Sequence, residues 1–227
     1  MTTAIAIDGP AGAGKSTIAK RAAKSIGFIY VDTGALYRAI GYYSLLKEAD
    51  TKNEASVTAL LSDIKIMLAF KEGTQCVILN EEDVSELIRT PEVSMAASDV
   101  SAFASVRAFL FDLQQNIAKQ NNVIMDGRDI GTVVLPDAQI KIFLTASAEA
   151  RAQRRYEELI QKGQTVLYED VLKEMTERDY NDSHREIAPL KPASDSIFID
   201  TTGNTLEQSV DMLISLIKER LEKTSQK

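Results

Sequence analysis

A three-layer α/β fold on a parallel five-stranded sheet is predicted by three observations. Five short apolar runs, rich in β-branched residues, have the length and composition of buried strands: Ala4–Asp8, Phe28–Val31, Val123–Asp126, Ile140–Leu144 and Ser196–Asp200. Helical patterns alternate with them, and strands separated by helices imply right-handed crossovers and a sheet covered on both faces. The first strand also runs straight into a glycine-rich loop, Gly9-Pro-Ala-Gly-Ala-Gly-Lys-Ser-Thr17, that opens a helix.

In chain order, Ala4–Asp8 is the first strand and Lys15–Ile26 the helix after the loop. Phe28–Val31 follows, then a helical pattern over Leu36–Glu48. Between Asn53 and Ser101 the pattern changes. Ile64–Phe70, Gln75–Leu79 and Asp83-Val84 read as short antiparallel strands, with turn residues at Glu72-Gly73 and Asn80-Glu81-Glu82. This stretch is expected to be an inserted subdomain, about 53–101, within one domain spanning 1–227. Helical Ser105–Lys119 leads to the third strand, Val123–Asp126. Ile140–Leu144 then precedes helices over Glu149–Gln161 and Tyr168–Asn181, with a short lid expected at about 151–168. Ser196–Asp200 and the helix Leu206–Glu222 complete the pattern, and Glu222 to Lys227 are expected to fray.

Composition narrows the function classes. At 227 residues the chain can bury a full core. Its formal charge of −7 argues against a broad nucleic-acid-binding face, while leaving room for a local basic cleft. The single cysteine, Cys76, allows no internal disulfide and sits in a strand-like run, so a buried packing thiol is expected. The chain enters a strand at once, without a signal-peptide pattern, and no apolar run approaches membrane-spanning length. A soluble cytoplasmic protein is expected, and a monomer, since no long exposed apolar stripe is apparent.

The loop carries the first chemical signal. Gly9, Gly14, Lys15 and Ser16 satisfy G-x-x-x-x-G-K-[ST] in the strand–loop–helix context the motif requires. Glycines let main-chain N–H groups converge on phosphate oxygens, so Gly9, Pro10, Ala11, Gly12, Ala13, Gly14, Lys15, Ser16 and Thr17 are expected to hold a triphosphate. Lys15 would reach the β- and γ-phosphates, and the Ser16 hydroxyl would ligate Mg²⁺. The following helix adds its positive end.

In parallel sheets ligands bind at the carboxyl ends of strands. Asp32-Thr33-Gly34 and Asp126-Gly127-Arg128-Asp129 stand at two of these ends. Asp126 reads equally as a Mg²⁺-associated acid or a turn aspartate. Arginines cluster nearby in sequence: Arg38, Arg128, the helical set Arg151, Arg154 and Arg155, and Arg178 with Asp182 and Arg185 at i, i+4, i+7. Each cluster alone reads as a salt-bridged helix surface. Their number, and their place after strands that deliver a phosphate loop, favour anion recognition. His184, the only histidine, reads as a surface or helix-end residue, and Tyr37 and the methionines as packing.

Over nearly its whole length the chain resembles the bacterial-type cytidylate kinases. The carrying motifs are Ile7–Thr17, Asp32-Thr-Gly-Ala-Leu-Tyr-Arg38, Ile88-Arg-Thr-Pro-Glu-Val-Ser94, Asp126-Gly-Arg-Asp-Ile-Gly-Thr-Val-Val134, Arg151-Ala-Gln-Arg-Arg155, Arg178-Asp179 with Asp182-Ser183, and Ala188-Pro-Leu190. The resemblance implies a nucleoside monophosphate kinase that moves the γ-phosphate of ATP to CMP or dCMP, with Mg²⁺ held at Ser16 and Asp126. It implies that Thr33, Arg38 and Arg128 line the monophosphate site, and that Ser98, Arg107 and Asp129 read cytosine. Arg178, Asp182 and Arg185 would hold ribose and phosphates. Lys15, Arg128, Arg155 and Arg185 would serve catalysis, with Arg151 and Arg154 on the ATP side of a mobile lid. Ala104 and Gln115 depart from the family pattern, near Arg107. A regulatory GTPase would need [NT]-K-x-D, and Thr51-Lys52-Asn53-Glu54 ends instead in glutamate. A kinase of another small acceptor, such as uridylate or shikimate, is the nearer alternative.

Overall fold

Ile5, Ala6 and Ile7 are all fully buried, so the first strand hides both of its faces, as a strand between two helical layers must. The computed structural model describes residues 2–71 and 74–225. The chain begins with β1 (Ala4–Asp8), α1 (Lys15–Ile26), β2 (Ile29–Asp32) and α2 (Gly34–Leu46). It continues through α3 (Glu54–Leu60), β3 (Ile66–Lys71), β4 (Thr74–Leu79), β5 (Glu82–Asp83), α4 (Pro91–Val100) and α5 (Ala104–Gln120). The remainder is β6 (Val123–Gly127), a single π-turn at Ile130–Val134, β7 (Ile140–Thr145), α6 (Ala148–Gln161), α7 (Tyr168–His184), β8 (Ile197–Asp200) and α8 (Leu206–Ser225).

The main sheet has order β2-β6-β1-β7-β8, and every pairing is parallel. One face, led by Ile5, Ile7, Ile142 and Leu144, packs on α1 and α8 through Ala19, Ala22, Leu213 and Ile217. The other, with Ala6, Val31 and Met125, is covered by Ala118 of α5 and by Ile130 and Val134. These are the three layers expected of the sequence.

The stretch after α2 holds the three-stranded antiparallel sheet β3-β4-β5, whose chain reverses at Asn80 and Glu81 with φ of 47° and 75°. Glu72 and Gly73 lie outside the described residues. Strands alone were expected here, yet two helices flank them. Asn53 accepts the Ser56 N–H and caps α3, so Thr51–Glu54 is a helix start, not a guanine-reading motif. Thr90 accepts the Val93 N–H and Pro91 sits in the first turn of α4. Val93, Ala97 and Val100 of α4 share one core with Leu36 and Ile40 of α2 and Val77 of β4. Cys76 is a buried free thiol on β4.

Other corrections concern ends. β2 closes on Asp32 where Val31 was expected, α2 begins at Gly34, and α7 runs to His184. The helix expected over Leu206–Glu222 runs to Ser225 as α8; Gln226 and Lys227 lie outside the described residues.

Gly41 permits the close approach of α2 and α4. A Cβ there would lie 2.9 Å from the Ala97 nitrogen and 3.0 Å from the Ala96 carbonyl carbon. Backbone cannot yield as a side chain can, so Gly41→Ala is expected to cost about 1–3 kcal/mol, read as a lowered urea midpoint at unchanged slope.

Candidate active site

The loop from Gly9 to Gly14 folds over the carboxyl end of β1. At Gly9, with φ of 151°, a Cβ would stand 1.9 Å from the Leu144 carbonyl oxygen, so only glycine fits where the loop passes β7. Lys15, the first residue of α1, is buried, and its Nζ donates to the Pro10 carbonyl at 2.7 Å. Burial, followed by the nearby Arg128 charge, pushes the ammonium down to about 7. Ser16 Oγ donates to Asp126 Oδ2 at 2.8 Å, and the Tyr30 hydroxyl donates to Oδ1 at 3.1 Å. Burial first and Asp32 second raise Asp126 to about 6. The Ser16 hydroxyl and Asp126 carboxylate therefore form a compact pair of hard oxygens that suits Mg²⁺. Among the described residues no cluster of three His, Cys, Asp or Glu side chains could cage a metal unaided. A cation at this pair would draw further ligands from phosphate and water, as Mg²⁺ ordinarily does.

A second anion-seeking region faces this loop. Thr33 Oγ1 donates to the Asp126 carbonyl at 2.8 Å, which fixes the start of α2 against the end of β6. Arg38 on α2, Arg128 after β6 and Arg178 on α7 converge here. Arg128 Nε donates to Asp182 Oδ2 at 2.8 Å. Burial and then Arg128 lower Arg178 to about 10, and burial lowers Arg38 as well. The Nε atoms of Arg38 and Arg178 are buried without a hydrogen-bond partner. Buried, mutually repelling guanidinium groups with vacant donors are arranged for a multivalent oxyanion. Burial works against ionising Asp182, but Arg128 and Arg178 outweigh it and hold that carboxyl below its ordinary range.

Beyond the arginines lies a polar corner. Asp129 joins Arg107 through a short ion pair and Arg185 at 3.5 Å. Arg107 also donates to the Ser101 carbonyl at 3.0 Å and rests over the Tyr37 ring, 5.6 Å from its centroid. Arg185 stands just past the last turn of α7, with Nε donating to the Ala188 carbonyl at 2.7 Å. Ser98 lines the same wall. Gln115 donates to the Val134 carbonyl at 3.1 Å and Ala104 simply opens α5, so neither departure disturbs the anchoring of Arg107.

The loop from Ala11 to Thr17, Asp126, the arginines and the polar corner border one cleft of about 1170 Å³. Of the candidate site residues read from sequence, Gly9 and Pro10, at the start of the loop, fall outside its lining. The three arginines of α6 do not act as a set. Arg151, expected on the ATP side, is buried with Nε on the Ala146 carbonyl (2.9 Å), Nη1 on the Ala11 carbonyl (2.8 Å) and Nη2 on Asp179 (2.5 Å). Each of its guanidinium nitrogens thus already has a protein partner, although the three arginines share one helix flank. Arg154 donates to the Thr201 carbonyl at 2.8 Å, and Arg155 pairs with Glu158 at 2.9 Å on the rim.

Sequence reasoning passed over four contributors. Asp8 accepts the N–H groups of Ile130 and Gly131, both at 2.7 Å, and burial still raises it to about 6. Tyr30 steadies Asp126. The Gln75 side chain makes both hydrogen bonds to the Asp32 backbone, at 2.8 and 3.2 Å, and Arg89 pairs with the Asp32 carboxylate at 3.0 Å. Asp8 and Arg89 lay within quoted motifs, but their partners, like those of Tyr30 and Gln75, are remote in sequence. His184 is exposed and stacked on Tyr180, as a helix-end residue.

The cytidylate kinase family model matches residues 5–219. A cytidylate kinase of Caldicellulosiruptor saccharolyticus is 52% identical over 212 residues, covering 93% of this chain and 94% of the relative. One from Bacillus licheniformis is 49% identical over 220 residues, covering 96% and 97%. A solved structure, an uncharacterized protein from Eubacterium ventriosum, superposes with a TM-score of 0.54 at 15% identity, covering 96% of this chain and 99% of that one, and shares the fold.

Lys15 gives the site a measurable proton balance. Above its lowered pKa of about 7 the free lysine is mostly neutral. A bound triphosphate favours the ammonium, so binding at about pH 8 is expected to take up a proton and to weaken as pH rises further. Calorimetry in buffers of different ionisation enthalpy reads this uptake, and Lys15→Met removes it.

Proposed function

The chain belongs to the cytidylate kinase family, and on that premise we infer that it transfers the γ-phosphate of ATP to CMP or dCMP, releasing ADP and CDP or dCDP. The observation that carries this reading is the two-ended cleft. A phosphate loop with Lys15 lies at one end, and Arg128 lies opposite with Arg38 and Arg178, whose Nε donors are unsatisfied.

In this reading main-chain N–H groups of Gly9 to Thr17 grip the triphosphate. Lys15 exchanges its Pro10 carbonyl for phosphate oxygens. Ser16 and Asp126 would hold Mg²⁺, which would supply positive charge to the phosphates. Arg38, Arg128 and Arg178 hold the acceptor's phosphate, with Thr33 beside them and Asp182 keeping Arg128 in place. Ser98, Arg107 and Asp129 face the cytosine edge, and Arg185 spans from Asp129 towards the sugar. The acceptor phosphate is already dianionic, so no side chain need remove a proton. Catalysis is then alignment of two oxygens about phosphorus, with charge stabilisation by Lys15, Arg128, Arg185 and the rim arginines Arg154 and Arg155. Closure of the α6–α7 hairpin as a lid, and of the β3–β5 segment over the acceptor, keeps water from intercepting the phosphoryl group.

The same reading assigns the enzyme to the cytoplasm as a monomer in pyrimidine nucleotide metabolism. Its partners are small nucleotides, with no nucleic acid polymer or membrane. No single helix among the described residues is long and apolar enough to cross a membrane.

An ADP-release assay with CMP, dCMP, UMP, AMP and shikimate tests the acceptor class. Cytosine monophosphates are expected to be the fastest, and consumption of another acceptor in their place overturns the reading. Lys15→Ala is expected to abolish nearly all turnover, since a single buried donor to the reacting charge carries about 3 kcal/mol; survival of more than about a tenth of the rate contradicts its role. Asp129→Ala strands Arg107 and Arg185, and the preference for CMP over UMP is expected to shrink about tenfold or more. An unchanged ratio removes Asp129 from base recognition.

A further inference from the structure

The tip of the phosphate loop is gripped from behind. Gly12 packs so tightly that a Cβ there would meet Met175 Cε of α7 at 2.6 Å and Arg151 Cβ of α6 at 3.4 Å. From the same side Arg151 Nη1 takes the Ala11 carbonyl at 2.8 Å, while Nη2 pairs with Asp179 of α7 at 2.5 Å and Nε holds the Ala146 carbonyl at the end of β7. Arg151 is 4% exposed, so these contacts face little competition from water. One guanidinium thus joins the loop, the strand leading to α6, and both helices of the hairpin.

A phosphate loop functions only when its carbonyls point outward, because an inward carbonyl replaces an attractive N–H with a repulsive oxygen. At Ala11 that outward orientation is fixed by Arg151. We propose that Arg151 is a positioning residue, clamped by Asp179, which holds the Ala11 carbonyl away from the triphosphate and ties the shape of the phosphate loop to the seating of the α6–α7 hairpin. Arg151 touches no phosphate. Movement of the hairpin reaches the loop through this side chain, so ATP affinity reports how the hairpin sits; α7 also carries Arg178 and Asp182 to the acceptor pocket, but the Arg151 guanidinium bonds no residue there. The proposal builds on the kinase reading above, since that reading makes the loop an ATP site.

The test uses the full-length protein with Arg151→Lys, Asp179→Asn and the double variant. ATP dissociation constants come from calorimetry, KM for CMP from the coupled assay, and folding from thermal melts. A charged hydrogen bond is worth enough that each single variant is expected to weaken ATP binding by about tenfold. With Arg151→Lys, KM for CMP should stay within about twofold; Asp179→Asn, which removes a charge that also reaches Arg128, should raise it by less than it weakens ATP binding; and the double variant should be no worse than the weaker single, as for two members of one linkage. Asp179→Asn is nearly isosteric, so it remains informative if Arg151→Lys fails to fold. If Asp179→Asn leaves ATP binding unchanged or tighter, Arg151 is a direct ligand or inert, and the proposal is overturned. Equal weakening of ATP and CMP overturns it too, because that marks general loosening. Should the wild type ignore CMP, the kinase reading fails, while the ATP-binding arm still decides the role of Arg151.

Discussion

Charge held out of water at the carboxyl ends of parallel strands is the constraint around which this molecule is organised. Lys15, Asp126, Asp8 and Arg151 are each less than a tenth exposed. Each is tolerable only because specific partners stand in for water. Lys15 borrows a carbonyl of its own loop, Asp126 takes hydroxyls from Ser16 and Tyr30, and Asp8 takes two main-chain N–H groups. For Asp8 and Asp126 these bonds only partly offset the cost of burial, which is why both carboxyls titrate near 6. Arg38 and Arg178 are left with donors that no protein group satisfies. A phosphate can satisfy those donors, so the cleft's electrostatic strain and its affinity for nucleotides are one property.

The sheet converts this local chemistry into geometry. β6 lies between β1 and β2, so one strand end carries Asp126 to the phosphate loop and Arg128 and Asp129 to the opposite wall. Asp8, at the end of β1, fastens the π-turn that follows those residues. The two ends of the cleft are therefore tied to the ends of adjacent strands.

Much of this was legible in the sequence, for physical reasons. β-Branched runs such as Ala4–Asp8 and Ile140–Thr145 are bounded by turn chemistry, and their periodicity reports burial directly. The loop motif is specific because its glycines answer a steric demand. The helices α3 and α4 escaped because their buried faces are short or built from small residues, Val93, Ala96, Ala97 and Val100, which hardly register as an apolar stripe. The Thr90-Pro91 start was visible all the same. Arg151 was assigned outward because spacing shows which residues share a helix flank, not which of them finds a carbonyl 140 positions away. Gln75, Tyr30 and Asp8 were beyond reach for the same reason: their partners are remote in sequence.

Gln75 has a wider consequence. β2 is an edge strand, and the amide of Gln75 supplies Asp32 with the donor and acceptor that an additional strand would have provided. One side chain thereby seals the exposed end of the ladder against recruitment by another copy of the protein. The seal comes from the β3–β5 segment, so the outer margin of β2 and the seating of that segment are coupled through a single amide side chain.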